Sequence, residues 1–272
     1  MNKKNILLII LLTILPFWGT SQTLTAYRNT VSNGYNFWVC TPKDYDSLQS
    51  ETPIVLFLHG ASLCGNNLER VRRYGPLDAL AMGRQIDALI IAPQNPGGAW
   101  NPERINNIVD WVYEHYAGDT NRLYVLGMSL GGYGTIDYSA AHSERVAAAM
   151  ALCGGGNPKS YCGLNELPLW IIHGTADKIV PYGQIALFNL RFMGSDVISR
   201  TFRKNGCSYR IFRYQGNSHE VAGSMPENVP MLTSFIEENV MTNTRVISDS
   251  RLTDPRIPVK NWGKGNYKKL YK

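Results

Sequence analysis

The sequence predicts an α/β fold, a mainly parallel central sheet with helices on both faces. Two observations carry this. Short, continuous apolar runs such as residues 53–58 and 88–92 have the pattern of strands buried on both sides. Between these runs lie segments with apolar residues at helical spacing, and strands that alternate with helices close most simply as parallel β-α-β units.

Taken in order, residues 37–40 form a short β run closed by Thr41-Pro42. The run at 53–58 stops at His59-Gly60, and the run at 88–92 stops at Pro93. Residues 103–117 place Ile105, Ile108, Val109, Val112 and Tyr116 at helical spacing, with Asn101 as a cap and Pro102 at the first helical position. A strand at 123–126 is followed by a helix of small residues over 130–142. Further strands are expected at 146–151, 169–172 and 209–214, and further helices at 185–193 and 229–240. In sheets of this kind, sites lie beyond the carboxyl ends of the strands.

Composition narrows the function classes. With 44% apolar residues in 272, the bulk of the chain is not disordered, and Gly and Pro without a period exclude a collagen-like chain. The formal net charge of +6 suggests an anionic partner until it is divided along the chain. Residues 1–21 contribute +2 and residues 241–272 contribute +6, which leaves 22–240 at −2. The main domain is not basic, so nucleic acid is not an expected partner.

The two ends differ from the middle. Residues 1–21 carry Lys3 and Lys4, an apolar run from Ile6 to Leu15 broken by Thr13, and small residues Gly19 and Ser21 before Gln22. That is the grammar of a cleaved secretory signal, and the run is about half the ~20 residues a membrane span needs. Export to a secreted or periplasmic location is therefore expected, with no stable membrane span after cleavage. Residues 241–272 read as a basic tail or linker, with electrostatic tethering to an anionic envelope polymer as the alternative. Export permits disulfides among Cys40, Cys64, Cys153, Cys162 and Cys207. The odd count leaves at least one outside an internal pair, and Cys153 with Cys162 is the nearest local pairing. The spacings do not suggest a zinc site.

The chemistry is concentrated at Gly127-Met128-Ser129-Leu130-Gly131, a G-x-S-x-G between an expected strand and an expected helix. A turn this sharp holds its serine in a strained conformation and needs glycines where the chain crosses itself. Serine is a weak nucleophile unless a histidine takes its proton. Of His59, His115, His142, His173 and His219, only His219 follows the nucleophile and a credible acid, in the chain order this elbow uses. That acid is Asp177, in the loop His173-Gly174-Thr175-Ala176-Asp177-Lys178-Ile179-Val180-Pro181 after an expected strand. A turn-forming role is its alternative reading. Two prearranged N–H donors are needed for an oxyanion, and the backbone amides of Ala61 and Leu130 are placed to supply them. Trp100, on another edge loop, is a candidate to stack on a sugar or aromatic ring, with packing as the alternative.

On Leu58-His59-Gly60, the G-x-S-x-G segment and the 173–181 loop, the sequence resembles the α/β-hydrolases over residues 35–240. It is most similar to the dienelactone hydrolase, phospholipase/carboxylesterase and feruloyl or acetylxylan esterase-like group of serine esterases. The resemblance implies Ser129 as nucleophile, Asp177 as acid, His219 as base, and Ala61 and Leu130 as oxyanion donors. Dienelactone hydrolases proper use a cysteine where this chain has Ser129. The implied activity is carboxylic-ester hydrolysis through an acyl-enzyme, without a metal or organic cofactor, on an ester substrate such as an acetylated or feruloylated polysaccharide. The expected layout is a signal at 1–21, a catalytic domain at 22–240 and the tail at 241–272. No insertion suggests a large lid domain, and the Gly-rich stretch 152–168 is the longest loop expected over the site. Two alternatives stand beside the esterase: a serine peptidase of prolyl-oligopeptidase type, without the usual propeller, and a non-catalytic binding protein on a hydrolase scaffold.

Overall fold

A computed structural model describes residues 22–49, 52–156, 164, 167–174, 177–180, 193–194, 210–214, 240–241 and 246–247. Eight strands form one sheet: β1 (Thr23–Tyr27), β2 (Asn36–Thr41), β3 (Ile54–Leu58), β4 (Leu89–Gln94), β5 (Leu123–Met128), β6 (Ala148–Leu152), β7 (Leu169–Gly174) and β8 (Arg210–Tyr214). Their order is β1-β2-β4-β3-β5-β6-β7-β8. From β4 through β8 every neighbouring pair is parallel, while β2 runs antiparallel to both β4 and β1. This is the strand order of an α/β-hydrolase fold.

The alternation along each strand divides the core in two. Ile54, Leu56 and Leu58 of β3, with Leu123 and Val125 of β5, pack against Ile105, Ile108, Val109 and Val112 of helix α2 (Pro102–His115) and against Ile136 of helix α3 (Leu130–Ala141). Val55 and Phe57 point the other way, with Tyr124 and Leu126, toward the 3-10 turns at Leu68–Arg73 and helix α1 (Pro76–Ala81). A strand buried on both sides favours apolar residues on both faces, and this is why β3 and β6 are apolar throughout and β4 and β7 are apolar up to Pro93 and Ile172.

Element ends follow local chemistry. The Asn101 side-chain oxygen accepts from the amides of Glu103 (2.9 Å) and Arg104 (3.2 Å), capping α2 ahead of Pro102 as expected. β4 runs on through Pro93 to Gln94 instead of stopping before the proline. Its pairing with β3 ends at Ile91, so at Pro93 only β2 remains as a ladder partner. β1 has no counterpart among the expected elements. It lies at the sheet edge and is only partly buried, so its sequence Thr-Leu-Thr-Ala-Tyr needs no apolar run. The helices expected at 185–193 and 229–240 lie mostly outside the described residues. Met193 and Val240, their expected last residues, sit in two-residue antiparallel ladders opposite Gly156 and Ile247. Among the described residues, no helix is long and apolar enough to cross a membrane.

Candidate active site

The carboxyl ends of β3, β4, β5, β6 and β7 deliver His59, Asn95, Ser129, Cys153 and, beyond Gly174, Asp177 to one edge of the sheet. At its centre, Ser129 links β5 to α3 with φ 56° and ψ −116°, a conformation that disfavours any residue with a side chain. The turn is held from outside. Ser129 N–H donates to the Leu152 carbonyl at 2.8 Å, and its carbonyl accepts from Tyr133 N–H at 3.2 Å. Two glycines make the turn sterically feasible. A methyl group on Gly127 would strike the Gly131 carbonyl, and one on Gly131 would strike the Leu58 carbonyl at the end of β3. Ser129 is half-buried, so its side chain remains reachable. Leu130 opens α3, and its N–H has no acceptor among the described residues.

The loop after β3 lies against this turn. A methyl group on Gly60 would come within 3.2 Å of Ser129 Cβ and 3.1 Å of the Met128 carbonyl. The next amide, Ala61 N–H, has no acceptor among the described residues, and Ala61 is exposed. His59 anchors this loop from beneath. Asn95 N–H donates to His59 Nε2 at 3.0 Å, so the proton is on Nδ1, which donates to the Gly60 carbonyl at 2.8 Å. The ring is fully buried. Burial pulls its pKa down to about 4; the Gly60 carbonyl acts the other way and the Arg70 charge adds to the fall. His59 is thus a neutral structural imidazole.

This has a measurable consequence. An unfolded histidine takes up a proton near pH 6.5, whereas native His59 resists doing so down to about pH 4. Between these values the unfolded state binds more protons, so the His59 contribution to stability is complete above pH 6.5 and falls as pH falls. We expect about 2 kcal/mol of it to be lost by pH 5 and on the order of 3 kcal/mol by pH 4. Urea unfolding at pH 7.5 and pH 5 checks this, and a His59→Asn variant should lose that part of the pH dependence.

Trp100 takes the packing role. It is 4% exposed, its Nε1–H donates to the His59 carbonyl at 3.2 Å, and its ring meets His59 and Tyr35 edge to face. A methyl group on Gly134 would lie 2.7 Å from the indole, so α3 also packs directly on it. No face of the ring is left for a sugar to stack on. The single-residue pattern that suggested stacking does not distinguish an edge-loop tryptophan facing outward from one facing the core.

Asp177 is fixed by a dense set of donors. Its Oδ1 accepts from the amides of Ile179 (2.8 Å) and Val180 (2.9 Å), so the turn-forming role is present. Its Oδ2 lies 3.1 Å from Nε2 of the fully buried His173. The same Nε2 is 2.7 Å from the Val180 carbonyl, which can only accept, so Nε2 carries a hydrogen directed at both oxygens. Asp177 also lies close to α3. Tyr133, one turn beyond Ser129, has its phenol raised to about 12, first by burial and then by the negative charges of Asp177 and Asp137. The acid loop and the serine turn therefore share one edge of the sheet. His219 lies outside the described residues, as do Cys162 and Cys207. Cys40 and Cys64 are free thiols.

Tyr74 is absent from the residues picked out by sequence. Its hydroxyl accepts from Gly60 N–H at 2.8 Å and lies 3.3 Å from Ser62 Oγ. No motif marks it; the only local signal is its position before Gly75-Pro76.

A model of the dienelactone hydrolase family matches residues 99–238. Acetylxylan esterase A of Aspergillus awamori is 24% identical over 168 residues, covering 56% of this chain and 52% of that protein. The chain spans about half or less of the length of the curated relatives it matches. Among solved structures, a thermostable esterase superposes with a TM-score of 0.61 at 20% identity, covering 80% of this chain and 63% of the other. A CE1 ferulic acid esterase from Anaeromyces mucronatus gives 0.54 at 17% identity, covering 76% and 89%. At these identities the two structures speak to the fold.

Proposed function

The chain belongs to the dienelactone hydrolase family, and from that premise we propose that it is a carboxylic-ester hydrolase working through Ser129, His219 and Asp177. The observation that carries the reading is the strained serine at the head of α3, backed by a loop on its β3 side whose Ala61 amide has no acceptor among the described residues. Strain of this kind persists only where the surroundings enforce it, and it is characteristic of functional positions.

The reaction runs in two halves. His219 takes the Ser129 proton as Oγ attacks the ester carbonyl, and the oxyanion is held by the amides of Ala61 and Leu130. The alcohol leaves with the proton from His219, and water then enters by the same route to release the acid and free Ser129. Asp177 orients the imidazole and stabilises its protonated form. The buried His173 and the amides of Ile179 and Val180 hold the carboxylate still for this task. The acetylxylan and ferulic acid esterases among the similar proteins favour an acetyl or feruloyl ester of a polysaccharide as substrate. The leader pattern at 1–21 fits export toward such a polymer.

p-Nitrophenyl acetate hydrolysis, wild type against Ser129→Ala, tests the reading, and equal rates would remove it. Acetylated and feruloylated oligosaccharides then define the acyl group; cleavage of peptides but not esters would favour the peptidase alternative. Asp177→Asn keeps an oxygen for the two loop amides but loses the charge. We expect it to lower kcat by roughly 10³- to 10⁴-fold while destabilising less than Asp177→Ala, as read by kinetics alongside thermal melts.

A further inference from the structure

We propose that Tyr74 is a positioning residue for the oxyanion loop, a reading that rests on the esterase function above. Gly60 is held on both of its peptide sides. Its N–H donates to the Tyr74 hydroxyl at 2.8 Å, and its carbonyl accepts from His59 Nδ1 at 2.8 Å and from Leu63 N–H at 3.2 Å. In a trans peptide the carbonyl and the following N–H point in opposite directions, so fixing the Gly60 carbonyl also fixes the direction of Ala61 N–H. Gly60 has no side chain to restrict it, so these three hydrogen bonds supply what its own sterics do not.

Tyr74 is itself set rigidly. Its ring stands edge-on to Phe57 of β3, with centroids 6.3 Å apart and planes at 90°. The next residue, Gly75, has φ 84°, and a methyl group there would strike the same Phe57 ring. The hydroxyl is therefore anchored to the strand that delivers the loop. Its position is central as well: a methyl group on Gly60 would lie 3.0 Å from the Tyr74 oxygen and 3.2 Å from Ser129 Cβ. Arg70, on the adjoining 3-10 segment, completes the brace by donating to the carbonyls of Ser62 (2.6 Å) and Cys64 (3.0 Å). With these contacts the segment 68–74 and His59 hold residues 60–64 from two sides, and among the described residues none accepts from Ala61 N–H.

Tyr74→Phe keeps the ring and deletes only the hydroxyl. The expected result is a kcat for p-nitrophenyl acetate about tenfold lower, with KM within twofold. Inhibition by a boronic acid, which forms a tetrahedral adduct on Ser129, should weaken by a similar factor. Ser62→Ala removes the other partner of the hydroxyl while leaving the Gly60 bond, and should stay within twofold of wild type in both measurements. If the wild type hydrolyses the ester and Ser129→Ala does not, yet Tyr74→Phe retains wild-type kcat and boronate affinity, the positioning role is wrong while the esterase reading stands. A rise in KM alone, with kcat and boronate affinity unchanged, overturns it equally. A wild type that does not hydrolyse the ester removes the underlying function instead. Should Tyr74→Phe fold poorly, the kcat and boronate affinity of the active-site-titrated fraction provide the same comparison.

Discussion

A Ser129→Gly variant is expected to be more stable than the wild type and to have no esterase activity. The residue sits at φ 56° and ψ −116°, where glycine is at ease and a side chain is not. A non-glycine residue in such a region costs on the order of 1–3 kcal/mol. Removing the side chain relieves that cost, offset in part by the extra freedom glycine gives the unfolded chain. A net gain of about 1 kcal/mol is expected, visible as a melting temperature a few degrees higher. Loss of the nucleophile should lower kcat by roughly 10⁶-fold. Ser129→Ala should lose activity to the same degree without the stability gain, because the alanine Cβ retains the strain. Paired melting curves and ester hydrolysis rates check both halves. A glycine variant no more stable than the alanine variant would contradict the strain assigned to this turn.

Gly131→Ala is expected to be the most damaging single-methyl change at the site. The added carbon would run into the Leu58 carbonyl, with the His59 carbonyl only 2.9 Å away, so backbone must move on both sides. Neither side yields readily. Leu58 is paired with Gly127 in the β3–β5 ladder, and Gly131 lies in the first turn of α3, whose carbonyl accepts from Thr135 Oγ1 at 2.9 Å. Overpacking of a tight core typically costs about 1–3 kcal/mol, and a clash with backbone on both sides belongs at or above the top of that range. The expected outcome is a loss of about 3 kcal/mol or more by urea unfolding, with any folded fraction catalytically impaired because β3 and the 59–61 loop shift relative to Ser129. Gly83→Ala is the contrasting variant, with backbone strain and no collision. A methyl there meets nothing within 4 Å, although its φ of 82° carries its own backbone cost, so the comparison isolates collision from backbone strain.

The sheet was legible in the sequence to the extent that burial on both faces leaves a mark. β3 and β6 are apolar at every position, and β4 and β7 are apolar up to Pro93 and Ile172, because each side of each strand meets a helix-lined core; the buried polar Gln94 and His173 come only at the carboxyl ends. β1 left no such mark, since an edge strand with partly buried faces accepts Thr23, Thr25 and Ala26. Pro93 was a misleading stop because a proline ends a strand only where its N–H is needed. The serine turn was legible because the chemistry of the turn fixes residue types at Gly127 and Gly131 by collision with backbone, a constraint independent of the rest of the chain. Asp177 stood out by its place after β7 with two readings, acid or turn former; the turn-forming one is seen in its bonds to the amides of Ile179 and Val180, and which amides it would hold is set by geometry alone. Trp100 and Tyr74 mark the boundary of what spacing reveals. Whether an aromatic side chain turns inward against Gly134 or reaches a loop amide depends on partners far away in sequence, and no local pattern encodes that.

Burst-phase trapping of the acyl-enzyme bears most directly on the central claim, that Ser129 is the nucleophile of an ester hydrolase. Protein quenched in acid within milliseconds of mixing with p-nitrophenyl acetate should carry one acetyl group on the peptide containing Ser129. Ser129→Ala should carry none and show no burst of nitrophenol. Acetyl found on another residue of the wild type, or a Ser129→Ala protein that still turns over the ester at the wild-type rate, would contradict the account.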